Sequence, residues 1–139
     1  MKKVIVIVGP TAIGKSKIGV MLAKKLNTEI ISGDSIQVYK GLDICSGKIT
    51  KDEMQGIPHH LIDILDLGQD YSVCDFQKQA RALIDKIDIP LIVGGTGLYI
   101  KACLSDYEFD ASKRDDNFED KYKDLSNEEL YDLLVKYDS

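Results

Sequence analysis

Residues Gly9-Pro10-Thr11-Ala12-Ile13-Gly14-Lys15-Ser16 match the spacing G-x-x-x-x-G-K-[ST]. The chemistry this spacing serves is the holding of a di- or triphosphate. Gly9 and Gly14 permit backbone angles that turn several N–H groups inward, and a helix start behind them adds partial positive charge. Lys15 brings a mobile cation to the outer phosphate, and the Ser16 hydroxyl suits a Mg²⁺ ligand. Without the right neighbours the same letters are only a glycine turn followed by Lys-Ser. Asp34 is a second reactive group, just past a strand-like run, where open α/β sheets place their ligands. From the residues alone, that carboxylate is a proton acceptor, an indirect Mg²⁺ holder or a cap for the next turn.

These groups need elements to position them. Lys3–Val8 is short, apolar and β-branched, which predicts a strand buried on both faces. Ile18, Met21, Leu22 and Leu26 recur at helical spacing behind the loop. Strand, glycine loop and helix in that order are the context the phosphate motif requires. Thr28–Ser32, Pro58–Ile64 and Pro90–Gly95 read as further strands. Residues 36–41 read as a short helical or irregular piece, and Asp43–Gly56 as mainly loop with Lys51–Gln55 helical. Asp75–Lys86 is helical by Phe76, Ala80, Leu83 and Ile84, with Ser72 or Asp75 as cap. Another helix starts after Gly95. Strands alternating with helices imply a parallel sheet covered on both sides, a P-loop NTPase-like three-layer α/β fold.

The chain has 139 residues and 44% apolar side chains, enough for one domain's core, and no apolar run approaches membrane-spanning length. The apolar run at 4–8 is too short for a signal peptide. Cys45, Cys74 and Cys103 have no metal-ligand spacing and read as single thiols of a reducing, cytoplasmic compartment. Adjacent His59 and His60 would point to opposite faces of a strand, which makes a poor metal pair. The net charge of −5 is uneven: residues 106–139 hold 12 acidic and 5 basic residues, the rest 11 acidic and 13 basic. That break divides the expected organisation into a phosphate-binding core at 1–105 and an acidic linker and helix at 106–139. Ser126, three residues before Glu129, is the expected cap of that helix, whose apolar stripe is Leu130, Leu133, Leu134 and Tyr137.

In combination, several segments resemble the tRNA dimethylallyltransferases, or isopentenyltransferases. They are Gly9–Ser16, Ile30–Ile44 with Asp34-Ser35-Ile36-Gln37-Val38-Tyr39, Gly56–Asp63, Tyr71–Phe76, and Pro90–Ile100 with Gly94-Gly95-Thr96-Gly97-Leu98-Tyr99. The phosphate loop alone is shared by many folds; the ordered set is specific and covers residues 1 to about 104. The resemblance implies transfer of a dimethylallyl group from its diphosphate to N6 of the adenosine 3′ of a tRNA anticodon. It implies Asp34 as general base, with Lys15 and Thr96 also catalytic and Gly9 to Ser16 holding the diphosphate. Ser16 would ligate Mg²⁺. Asp34, Ser35, Ile36, Gln37 and Thr96 would contact tRNA, and Thr11 lies near the substrates. Thr11 and Thr96 also suit a turn stabiliser and a helix cap, while Tyr39 and Tyr99 suit either base stacking or core packing.

Ile13 replaces a small polar residue of the family's loop, and Cys45-Ser46-Gly47-Lys48 stands where Gly-Thr-Ala-Lys is usual, with Lys48 matched. Family members are roughly twice as long, so the chain is expected to be an N-terminal part with an incomplete sheet and the start of a helical tRNA-binding insertion. The complete enzyme is expected to be a monomer. Two other readings stand beside this one. One is a small-molecule or nucleotide kinase of the same fold, which would want lid arginines beyond Arg81 and Arg114. The other is a diphosphate-binding fragment without turnover.

Overall fold

The structure is a computed structural model that describes residues 2–44, 46–109 and 117–137. The readings made for Cys45 and Arg114 lie outside the described residues. The chain divides into two compact units, Met1–Glu108 and Phe109–Ser139.

The first unit is built on four parallel strands, β1 (Ile5–Val8), β2 (Ile30–Ser32), β3 (His59–His60) and β4 (Leu91–Gly94), in the order β1-β4-β2-β3. Alternation along the strands sorts the apolar side chains between two faces. Ile30, Leu91 and Val93, with Ile5 and Ile7, pack on Val20 and Ala23 of α1 (Lys15–Leu26). On the other face Ile31 and Ile92, with Val4 and Val6, meet two helices. Phe76, Ala80 and Ile84 come from α3 (Val73–Lys86), and Tyr99, Ile100 and Cys103 from α4 (Gly97–Leu104). Phe76 is 1% exposed and stacks on Tyr99 with ring centroids 4.7 Å apart. Burying a side chain of that size contributes roughly 2–3 kcal/mol. The two faces make the expected three layers.

The local signals for α3 are realised in full. Ser72 accepts from the Asp75 amide while Asp75 accepts from the Ser72 amide, a reciprocal cap. The short α2 (Lys51–Met54) starts the same way, with Thr50 and Glu53 capping each other. Gln77 donates to the carbonyls of Ala102 and Tyr107, and Arg81 to those of Cys103 and Ser105. These bonds keep residues 105–107 with the first unit, so it runs past the composition break at Asp106.

Several expectations are corrected. β1 is not buried on both faces: it is the edge strand of the described sheet, half-buried, with Val8 59% exposed. Ile18 and Met21 face solvent, because α1 meets the sheet through Gly19, Val20 and Ala23. A Cβ on Gly19 would come within 2.9 Å of Val93, so a small residue sets how closely α1 packs. β3 has two residues where seven were expected, since Leu61 (φ 62°) and Asp63 (φ 53°) leave the extended region. Of the two forms expected for residues 36–41, the irregular one is found: turns that close at Gly41 with φ 80°.

The second unit contains a 3₁₀ turn (Glu119–Lys121) and α5 (Asn127–Tyr137). Ser126 and Glu129 cap α5 reciprocally. No residue of α5 is buried, and Leu130, Leu133, Leu134 and Tyr137 line an open apolar groove with Phe118 and Tyr122.

Candidate functional site

The sheet brings three loops together at the C-terminal ends of β1, β2 and β4. The first is the phosphate loop. Its shape needs left-handed backbone at Ala12 (φ 65°) and Gly14 (φ 91°), after which α1 begins without a side-chain cap. The first amides of α1 therefore have no partner in the helix, and Gly14, Lys15, Ser16 and Lys17 line the cleft, as suits an anion site. Lys15 lies back over the loop, its ammonium donating to the Pro10 carbonyl. Ile13 is 57% exposed, which accommodates its departure from the family pattern.

The second loop follows β2. Asp34 Oδ1 accepts from the amides of Ile36 (2.9 Å) and Gln37 (3.2 Å), so the carboxylate caps its own turn. Neither bond uses Oδ2. The Gln37 side-chain amide donates to the Ser46 carbonyl at 3.1 Å and ties this turn to the next.

The third loop follows β4. Gly33 and Gly94 approach so closely that a Cβ on Gly94 would lie 2.2 Å from the Gly33 carbonyl oxygen. The Gly33 amide donates to Val93 and the Thr96 amide donates back to Gly33. The Thr96 hydroxyl accepts from the Ser35 amide at 3.1 Å and donates to the Ser35 hydroxyl at 3.3 Å. Thr96 does not cap α4 with its side chain, contrary to the alternative considered for it; the hydroxyl links the third loop to the second.

Thr11, Ala12, Gly14, Lys15, Ser16, Asp34 and Gln37 line one cleft of about 300 Å³. Gly9, Pro10, Ile13, Ser35, Ile36 and Thr96 do not line it; they shape the loops that do. Lys17, Gly47, Glu53, Val93 and Gly94 also line it, and the sequence had not assigned them to the site. Glu53 was the most legible of these, because Thr50-Lys51-Asp52-Glu53 is a capping-box spacing. The Thr50 amide and then its hydroxyl hold the Glu53 carboxyl below its ordinary pKa, so it stays ionised. The cleft thus carries two cations, a helix start and two carboxylates.

Tyr99 is buried against Phe76 and Tyr71, so core packing is its role, and half-buried Tyr39 donates to the Gln69 carbonyl. His60 pairs with Glu29 at 2.6 Å, while His59 bonds the Ile57 carbonyl and is held below its usual pKa by burial. Arg81 serves the C-terminal end of α4. Among the described residues no helix is long and apolar enough to cross a membrane, and no three His, Cys, Asp or Glu side chains gather at a metal-binding distance.

Residues 37–139 match the family model described as IPP transferase. The chain is 54% identical to a tRNA dimethylallyltransferase of Geobacillus kaustophilus over 96% of its own length and 44% of the relative's. It is similar to the solved tRNA isopentenylpyrophosphate transferase of Bacillus halodurans, with TM-score 0.77 and 46% identity, over 99% of this chain and 48% of that one. A eukaryotic dimethylallyltransferase solved acting on tRNA gives TM-score 0.76 at 34% identity, over 98% of this chain and 36% of that one. The chain spans about half the length of the curated relatives it matches.

Proposed function

The chain belongs to the IPP transferase family, and from that premise we propose that it takes part in dimethylallyl transfer to tRNA. The group would move from dimethylallyl diphosphate to N6 of the adenosine 3′ of the anticodon. One observation carries the proposal: the phosphate loop, the start of α1 and the Asp34 carboxylate share a single cleft. In this reading the C–O bond of the diphosphate ester breaks as the N6–C bond forms. The electron pair leaves with the diphosphate, and the N6 proton goes to Asp34. Charge growing on the leaving group would fall beside the α1 amides, with the Lys15 ammonium turning to it from the Pro10 carbonyl, and removing one such preorganised donor typically costs about 3–4 kcal/mol of barrier. An exocyclic amine is a poor nucleophile, and a carboxylate that accepts its proton is worth roughly 10²–10⁴-fold. With Oδ1 bonded to two amides, Oδ2 is the oxygen of Asp34 that can take the proton.

The donor set fits Mg²⁺, which favours oxygen ligands and keeps most of its waters and substrate phosphates. Ser16 would hold it, with Asp34 and Glu53 in the same cleft. When bound, the ion would add positive charge against the diphosphate. Exposed Ile36 and the amide oxygen of Gln37 would meet the tRNA, the latter because its nitrogen is committed to Ser46. Thr96 would act through Ser35 by fixing that turn. Residues 1–105 would serve as the diphosphate-binding core and 106–139 as the start of a helical tRNA-binding domain, in a monomer working in the cytoplasm.

Asn at position 34 can still cap the turn but cannot accept the proton. With these residues joined to the remaining half of a full-length relative, Asp34→Asn is expected to lower prenyl transfer to tRNA about 10²-fold or more, at unchanged diphosphate affinity. An unaffected rate would remove Asp34 as the base.

A further inference from the structure

Lys48 is the most deeply buried cation in a described salt bridge: its side chain is 4% exposed, and its ammonium has three acceptors. These are the Tyr39 carbonyl at 2.7 Å, Asp43 Oδ1 at 2.8 Å and Asp63 Oδ1 at 2.5 Å. An ammonium has three N–H donors, so all are used and none is left for a substrate. Each acceptor stands on a different stretch of chain; the stretches of Tyr39 and Asp43 reach the cleft through Gln37 and Gly47, and that of Asp63 bonds to Gln37.

Tyr39 ends the turn that Asp34 begins. Asp43 belongs to the turn closed by Ser46 and Gly47, where Lys48 N donates to the Asp43 carbonyl and Ser46 accepts from Gln37. Gly47 lines the cleft, and a Cβ there would stand 3.5 Å from the Thr11 methyl. Asp63 follows β3, and its amide donates to the Gln37 carbonyl, while Ile64 and Leu65 donate to Val38. Lys40 donates back to Leu65, and Tyr39 and Leu65 form a parallel bridge, so backbone bonds already join two of these stretches and the ammonium ties the Asp43 turn to both.

We propose that Lys48 is a positioning residue of the site, whose buried ammonium holds the Asp34–Gln37 turn and Gly47 against the phosphate loop. Its role in transfer rests on the reading given above; its role in holding the turn does not. Burial alone would lower a lysine pKa, but the bonds to Asp43 and Asp63 outweigh it and raise Lys48 above its ordinary value. The ammonium therefore keeps its proton and its three bonds across the working pH range. Without it, Asp43 and Asp63 lose their shared counter-ion and the Tyr39 carbonyl its donor, so the three stretches lose their common tie.

Amide hydrogen exchange on this chain tests the proposal without any need for turnover. In Lys48→Met, the Ile36 and Gln37 amides, which Asp34 Oδ1 protects, are expected to exchange about tenfold faster or more. The β4 amides of Ile92 and Val93 should keep their rates, and pyrophosphate affinity should stay within about twofold. Unchanged exchange at Ile36 and Gln37, or one common acceleration including β4, would overturn the proposal. If Lys48→Met does not fold, Asp63→Asn decides. It keeps the backbone bond to Gln37 and takes one of the two negative partners from the ammonium, so the same two amides should accelerate while β4 does not. Equal rates there would overturn it. Loss of pyrophosphate binding in the unmodified chain would instead count against the transfer reading, a separate failure.

Discussion

The first unit holds its cleft by contacts between residues far apart in sequence, whereas the second holds its helix by contacts between neighbours. At the cleft, Gly33 meets Gly94 and Ser35 meets Thr96, each pair 61 residues apart. In the second unit the clearest bonds are those of Ser126 with Glu129, and the Phe118 and Tyr122 rings lie 5.0 Å apart. The two units have equally good helix caps but differ in what the caps serve. In the first, α3 is capped and also buries Phe76, Gln77, Ala80 and Ile84. In the second, α5 is capped and buries nothing. Long-range closure is costly in chain entropy, so it must be repaid by close packing that tolerates little change.

That contrast can be broken most severely at Gly94. Gly94→Ala places a methyl inside contact distance of the Gly33 backbone, which cannot move without opening the sheet. A loss on the order of 3 kcal/mol or more is expected in urea unfolding of the first unit. A stability like that of the unmodified chain would contradict the close approach.

The caps should separate the two units. Ser72→Ala is expected to cost the first unit about 1 kcal/mol in urea unfolding. Ser126→Ala should reduce the helical signal of α5 and leave the first unit's midpoint in place. A shift of that midpoint by Ser126→Ala would show that the second unit's local bonds support the first.

The smallest effect is a titration. Burial, then the neighbouring Tyr99 and Asp75, pushes the Tyr71 phenol up to about 12. Unfolded tyrosine ionises near about 10, so the neutral phenol is favoured in the folded chain. The stabilisation it gives is complete below about 10 and is lost as pH rises to about 12. Tyr71→Phe should make the alkaline fall in stability shallower in that window. An identical slope in both proteins would remove Tyr71 as its source.

Much of this was legible from local patterns. The phosphate loop announces its glycines and lysine, and α3 announces its capping box and apolar face. A strand lies within each of the four runs read as one, because short apolar runs bounded by turn residues suit a buried parallel sheet. What the sequence hid depends on partners distant along the chain. The spacing of Ile18 and Met21 marked the helix, but not the face it buries: α1 packs through Gly19, whose missing side chain carries no hydrophobic signal. β3 reads as a strand to Ile64, yet left-handed backbone at Leu61 and Asp63 ends it after His60. Thr96 stands where a helix cap belongs, and only the proximity of Ser35 shows that its hydroxyl is used elsewhere. Lys48 looks like any surface lysine until Tyr39, Asp43 and Asp63 converge on it.

The most direct measurement is calorimetric titration of the chain with dimethylallyl diphosphate and Mg²⁺, with ATP as comparison, repeated on Lys15→Ala. The account predicts binding that prefers the prenyl diphosphate and falls about 100-fold or more without the Lys15 ammonium. Preference for ATP, no binding of either ligand, or equal affinity in Lys15→Ala would contradict it.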